Sequence, residues 1–310
     1  MRGKTGKRMA AALLCSLLAS LCFAGCSGSG QVSGTLYMES LQPASQTASP
    51  QPPSQAPAPG AQAYDAAVLP SGVSAVRRSL VQALKATNGQ KNFQRTATRS
   101  LLVGEVEMVS THESLQSADG EKTPVQLQTV EAAYRTETAS SLGWENRVTY
   151  LENGLLYSQE TLEDSLDASN NRTAVVEGPV DSAQPVLPIP DFYVTLTDGM
   201  ISNVDISQNG ADILYSFTLD PEKTRDKVAA LLQEAPYRLE IDPSALGVDY
   251  NVCTARSNAE GFVTELSSSI GIRYALDGEE LAGELNVDYA FDQFGTTPTP
   301  EMPDWAADIS

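Results

Sequence analysis

Two long runs of alternating residues, meeting at Asp277-Gly278, restrict this chain more than any other feature of its sequence. In the first, Phe262, Thr264, Leu266, Ile270, Ile272, Tyr274 and Leu276 fall on one side and Glu265, Ser267, Ser269, Arg273 and Asp277 on the other. In the second, Leu281, Leu285, Val287, Tyr289 and Phe291 alternate with Glu284, Asn286, Asp288 and Asp292. A period of two marks a strand with one dry and one wet face, and a short polar turn between two such strands makes a hairpin. At about fourteen to sixteen residues each, against the usual five or six, the pair must twist and curl. Curling with the apolar face inward produces a trough.

The other segments fit around this hairpin. Val248, Tyr250 and Val252 add a third strand on the same apolar face, reached through a turn at residues 258–261. Further strands are expected at 98–114, 125–138, 146–151 and 155–160, the last two joined by Asn153-Gly154, the strongest short hairpin signal. Residues 201–207 and 213–219 repeat the device around Asn209-Gly210. Residues 73–87 space Val76, Leu80 and Leu84 at helical intervals and stop at Asn88-Gly89. A second helix is expected over 220–234, with Asp220 as cap, Pro221 in the first turn and Val228, Leu231 and Leu232 as its buried stripe. A third, short helix is placed between residues 190 and 200. Roughly eight to ten mostly antiparallel strands without strand–helix alternation predict the α+β class. The expected form is a long, curved, mostly antiparallel sheet, a half-barrel, covered by two or three helices. This domain is assigned residues 65–295, about 230 residues and enough for a real core, with residues 296–310 as a C-terminal tail.

At the other end, Arg2, Lys4, Lys7 and Arg8 precede an uncharged run that closes in Leu21-Cys22-Phe23-Ala24-Gly25-Cys26. A charged start, an apolar stretch and small residues before a cysteine resemble a bacterial lipobox, with Phe23 where such boxes usually carry an aliphatic residue. Residues 1–25 are therefore expected to be a signal peptide, with Cys26 lipidated and holding the chain at the extracytoplasmic face of a cell membrane. The alternative is an uncleaved anchor helix, since residues 9–26 approach the lower end of the roughly 17 to 25 residues that span a bilayer. Residues 26–64 form a linker rich in Ser, Gln and Pro, including Pro43, Pro50, Pro52, Pro53, Pro57 and Pro59, with too few large apolar residues for a core.

The formal charge is −19, and loss of the four basic leader residues takes it to −23. So acidic a surface repels phosphate backbones, which argues against nucleic acid as a partner, and it stands off anionic headgroups. Processing leaves Cys253 as a lone thiol beside the capped Cys26; no His or basic cluster near it in sequence lowers its pKa, so a packed thiol is expected.

The pattern resembles the LolA-like superfamily of lipoprotein carriers and lipid-binding lipoproteins, in particular lipoproteins of Gram-positive bacteria. The resemblance spans residues 73–303. It rests on the opening helix, the Tyr150-Leu151-Glu152-Asn153-Gly154-Leu155-Leu156-Tyr157 hairpin, the helix after Tyr215-Ser216-Phe217-Thr218-Leu219-Asp220, and the closing Asp288-Tyr289-Ala290-Phe291-Asp292-Gln293-Phe294-Gly295 with Pro300 and Pro303 after it. It implies a half-barrel with a helical lid and, in some members, an acyl-chain cavity.

Chemical motifs are sparse. His112 is the one histidine and no Gly-x-Ser-x-Gly elbow accompanies it; it is read as a strand-end residue. Asp167, Ser169 and Asn171 begin like a calcium loop, but the required Gly is missing and Gly178 stands where a bidentate Glu belongs. Glu284, Asp288 and Asp292 share a strand face, yet steps of four residues, about 13.6 Å, are too long for a glycosidase pair. No metal or cofactor is expected, and no enzyme. The expected activity is noncatalytic binding of a lipid or other amphiphile between sheet and helices, with Tyr250, Leu266, Ile270, Tyr274, Leu285, Tyr289 and Phe291 as walls. The same alternation describes an ordinary packed core. The alternative function is an acidic envelope scaffold or protein-interaction module without a cavity.

Overall fold

A computed structural model describes residues 69–307, apart from 105, 119–123, 137–142, 165–167, 169–170, 180–187, 234–242 and 277–278. The leader, Cys26 and the linker lie outside the described residues, as does most of the Asp167–Asn171 segment.

The protein is α+β, dominated by one open, curled antiparallel sheet. Among the described residues it has eleven strands: β1 Phe93–Val103, β2 Val106–Ser117, β3 Val125–Thr136, β4 Gly143–Glu152, β5 Leu155–Asp164, β6 Arg172–Pro179, β7 Ile201–Asn209, β8 Asp212–Leu219, β9 Leu246–Ser257, β10 Val263–Leu276 and β11 Glu279–Asp292. They are ordered β6-β5-β4-β3-β2-β1-β11-β10-β9-β8-β7. The helices are α1 Val73–Asn88, α2 Asp191–Val194, α3 Pro221–Gln233 and α4 Asp304–Ala307.

Helix α1 buries Val76, Leu80 and Leu84, the expected stripe. It ends where the Gly89 N–H reaches back to Lys85 O, with Gly89 in right-handed conformation. Helix α3 is capped by Asp220, whose Oδ1 accepts from the N–H groups of Glu222 and Lys223 at 3.1 and 3.2 Å, satisfying two donors that a helix start leaves open. The expected short helix appears as α2, followed by a 3-10 turn at Asp198–Met200.

The expected strand over 98–114 is instead two strands. Val103 pairs with Val106 across a two-residue turn in which Gly104 takes a φ of 59°, so the chain reverses inside what alternation alone reads as one run. Strand β6 was not anticipated, and residues 302–306 of the expected tail pack on the body. There Met302, Trp305 and Ala306 join Tyr150, Tyr157, Val125 and Leu127 on the convex face of β3–β5.

The helices pack mainly on β7, β9 and β10. Their anchoring is polar as well as apolar: the Ser79 and Tyr215 hydroxyls share a 2.6 Å hydrogen bond, the Val263 N–H donates to Thr87 Oγ1 at 2.7 Å, and Tyr193 Oη donates to Ser268 Oγ at 2.7 Å.

Candidate functional site

Directly paired residues of an antiparallel sheet point to the same side. The concave face can therefore be followed from strand to strand. From Leu266 on β10 it passes to Tyr289 on β11, Ala97 on β1, His112 on β2, Val130 on β3 and Arg147 on β4. The next row runs Val287, Arg99, Ser110, Ala132 and Glu145, and the row on the other side runs Phe291, Arg95, Ser114, Gln128 and Thr149.

This face has two halves of different chemistry. Under the helices, Leu266, Ile270 and Leu285 are 0% exposed, and Tyr274, Tyr289 and Phe291 are also buried. Residues with no surface open to a water-sized sphere have no void against them. The structure brings these six expected wall residues together, but as a closed packing. Tyr193 of α2 sits edge-on to Tyr289 at 6.0 Å between ring centroids, and Tyr289 stacks on Phe291 at the same separation.

Tyr250 does not join them. It is 40% exposed on the convex face, opposite Gly271, where a Cβ would run into its ring. The cause is a bulge: the β9–β10 register shifts between Gly271 and Ile272, so Val248 points inward while Tyr250 and Val252 point outward.

The other half of the concave face, on β2–β5, carries Met108, Tyr134, Thr149, Arg147, Leu156 and Leu162 at half-buried positions. Between the halves lies a polar seam. Arg95 Nη2 donates to Ser114 Oγ at 3.1 Å and Arg99 Nη2 to the Tyr289 hydroxyl at 3.4 Å. The Arg99 guanidinium carbon stands 6.0 Å from the Tyr289 ring centroid. Ser110 Oγ and His112 Nε2 are 3.0 Å apart, and Arg147 Nη2 lies 3.8 Å from Glu145 Oε1. Burial, and then the positive charges of Arg99, Arg95 and Arg147, push His112 down to about 3. It is a neutral imidazole at any ordinary pH. His112 is mid-strand and inward-facing, not a strand-end residue.

Sequence reading missed Arg95, Arg99, His112 and Arg147 as a group. On β2 the inward row Ser110, His112, Ser114 and Gln116 is polar, whereas the outward row Val109, Thr111, Glu113 and Leu115 mixes apolar and polar residues, so hydropathy does not mark the inward side. Their proximity arises from pairing alone.

Cys253 is a packed thiol, as expected: burial pushes it up to about 12, and its Sγ lies 3.1 Å from Ser268 Oγ and 3.2 Å from Asn251 Oδ1. Asp288 and Asp292 are exposed and Glu284 half-buried on the wet face of β11. Among the described residues, no group of three His, Cys, Asp or Glu is placed to hold a metal, and no helix is long and apolar enough to cross a membrane.

Neither known family models nor curated proteins match the chain. Solved structures do show likeness. Rv2717c from M. tuberculosis is 13% identical, with 68% of this chain and 97% of that one covered and a TM-score of 0.22. A β-barrel-like protein of the domain of unknown function DUF1849 from Brucella abortus is 8% identical, covering 65% and 99% with a TM-score of 0.23. A DUF1329 family protein from Desulfovibrio piger is 7% identical, covering 70% and 92% with a TM-score of 0.21. Scores this low carry no functional argument, and the fold class stands on the strand pairing itself.

Proposed function

We propose that this is a noncatalytic binding protein of the LolA-like kind, held at the extracytoplasmic face of a membrane by lipid on Cys26, that takes a lipid or other amphiphile into its curled sheet. The observation that carries the reading is the half-buried, mixed lining of β2–β5, where Met108, Tyr134, Leu156 and Leu162 offer apolar surface beside polar Thr149 and Arg147. Binding sites for amphiphiles combine such apolar walls with a few placed polar groups. The site is thus shifted from the walls expected under the helices to strands β2–β5 beside them. Leu266, Ile270 and Leu285 would meet ligand only after a helix moved away.

Native mass spectrometry of the protein from residue 27 onward should show a copurifying amphiphile. A protein that is empty and also ignores fluorescent fatty acids would refute the reading. The membrane link is checked separately: cells fed labelled palmitate should label the chain, and Cys26→Ser should abolish the label.

A protein-interaction role is the second reading. Its support is Tyr250 beside Val252 on the convex face, where 40% and 48% of their surfaces are exposed.

A further inference from the structure

The polar seam concentrates positive charge inside a strongly acidic protein. Arg95 and Arg99 lie two positions apart along one face of β1, with His112 paired to Ala97 between them, and Arg147 stands two strands further on in the His112 row. At about 4.8 Å per strand, β1 to β4 spans on the order of 14 Å, which long guanidinium side chains on an inward-curving face can close. Among the described residues of β4 and β5, Glu145 stands beside Arg147, Glu160 is paired with Arg147 across the two strands, and Asp164 lies further along the same face opposite Gly143. The positive charges of Arg99, Arg95 and Arg147 all reach the His112 ring.

A second observation points the same way. Two rows from His112 and one from Arg95, Gln126 Nε2 is buried without a hydrogen-bond partner among the described residues, and so is Oε1 of Gln116, which pairs with it across β2–β3. Gln116 and Gln126 are 3% and 4% exposed. An orphaned donor in such a place is costly unless a ligand oxygen accepts from it.

We infer that Arg95, Arg99, Arg147 and His112 form the seat for an oxyanion headgroup, a carboxylate or a phosphate, of the amphiphile that enters the trough. The inference rests on the reading of the trough as a ligand site and adds the charge of the ligand. Arginine forks suit this task because they hold two oxygens at once, and neutral His112 and the seryl hydroxyls supply further hydrogen bonds. The acidic exterior does not forbid it. Exposed charges more than about 8 Å away are largely screened at physiological salt, whereas groups in contact are not. The arrangement orients the ligand: headgroup on the seam, chain along the apolar surface of β2–β5.

The test uses the histidine itself. In the full-length chain, held in nonionic detergent with any tag removed, the imidazole of His112 is the one histidine signal in a carbon-13 spectrum. Dodecyl phosphate, dodecanol and inorganic phosphate are titrated in turn. Dodecyl phosphate should shift the signal saturably, at concentrations at least about tenfold below the other two, since charge-assisted hydrogen bonds add to chain burial. Arg147→Gln, at the half-buried rim, should weaken dodecyl phosphate about tenfold and leave dodecanol unchanged. Arg99→Gln should do the same more strongly, with circular dichroism confirming its fold.

Equal response to dodecanol and dodecyl phosphate would overturn the headgroup seat while sparing the amphiphile reading. Inorganic phosphate binding as tightly as dodecyl phosphate would overturn the amphiphile and leave a free-anion site. No response to any of the three would overturn both.

Discussion

His112 illustrates how a residue's neighbours, more than its type, decide what it does. Its folded pKa of about 3 lies far below the 6.5 of an unhindered imidazole, with burial the larger cause and Arg99, Arg95 and Arg147 adding to it. The unfolded chain therefore binds a proton between pH 6.5 and 3 that the folded chain refuses. Stability from this group is fully present above about pH 6.5 and falls as the solution is acidified, by about 2 kcal/mol at pH 5. Unfolding free energies from urea melts at pH 7 and pH 5 should differ by that much less in His112→Gln than in the wild type. Titrating groups that the two proteins share cancel in the comparison. Equal pH sensitivity in the two would mean that His112 is charged in the folded state.

Among the elements, the glycines within strands β10 and β11 face different obstacles. A Cβ at Gly271 would strike the Tyr250 ring, an exposed side chain that can swing outward, whereas a Cβ at Gly283 would lie 2.7 Å from Leu102 O, which is backbone. Gly271→Ala should cost about 1 kcal/mol and become neutral or favourable in a Tyr250→Ala background, because alanine suits a strand better than glycine. Gly283→Ala should cost about 2 kcal/mol or more, since β1 and β11 must separate. Denaturant melts of the four proteins check both statements; additive effects at 271 and 250 would exclude the contact.

These elements also show what hydropathy reveals. Strands β10 and β11 were legible because Leu266, Ile270, Leu285 and Tyr289 contrast with Glu265, Arg273 and Asp288 on the opposite side. Tyr250 was not, because a bulge reverses the facing of a strand without altering its composition. The β1–β2 reversal was hidden because Gly104-Glu105 lacks the Asn-Gly signal found at Asn153-Gly154. The basic seam was beyond sequence reading altogether: Arg95, His112 and Arg147 come from three strands, and only their register joins them.

In the molecule as a whole, the segment after β11 matters more than a tail should. Met302, Trp305 and Ala306 cover Tyr150 and Tyr157, whose rings lie 6.3 Å apart. Burial, followed by Glu152, raises the Tyr150 phenol to about 12. Ending the chain at Thr299 should expose this apolar patch, lower stability by about 1 to 3 kcal/mol and return the phenol toward its ordinary range. Thermal melts and ultraviolet titration of tyrosinate read the two effects. An unchanged melt would show that the segment rests on the sheet without supporting it.

The strand order has a further consequence. Strands β1–β6 neighbour one another in chain sequence, as do β7–β11, and the two groups are stitched by the β1–β11 ladder from Gln94↔Asp292 to Val103↔Gly283. Each group assembles from local reversals, while that single ladder waits on residues nearly the whole described length apart. Its closure sets the pace of assembly, and two fragments divided between β6 and β7 would have one zipper by which to recognise each other.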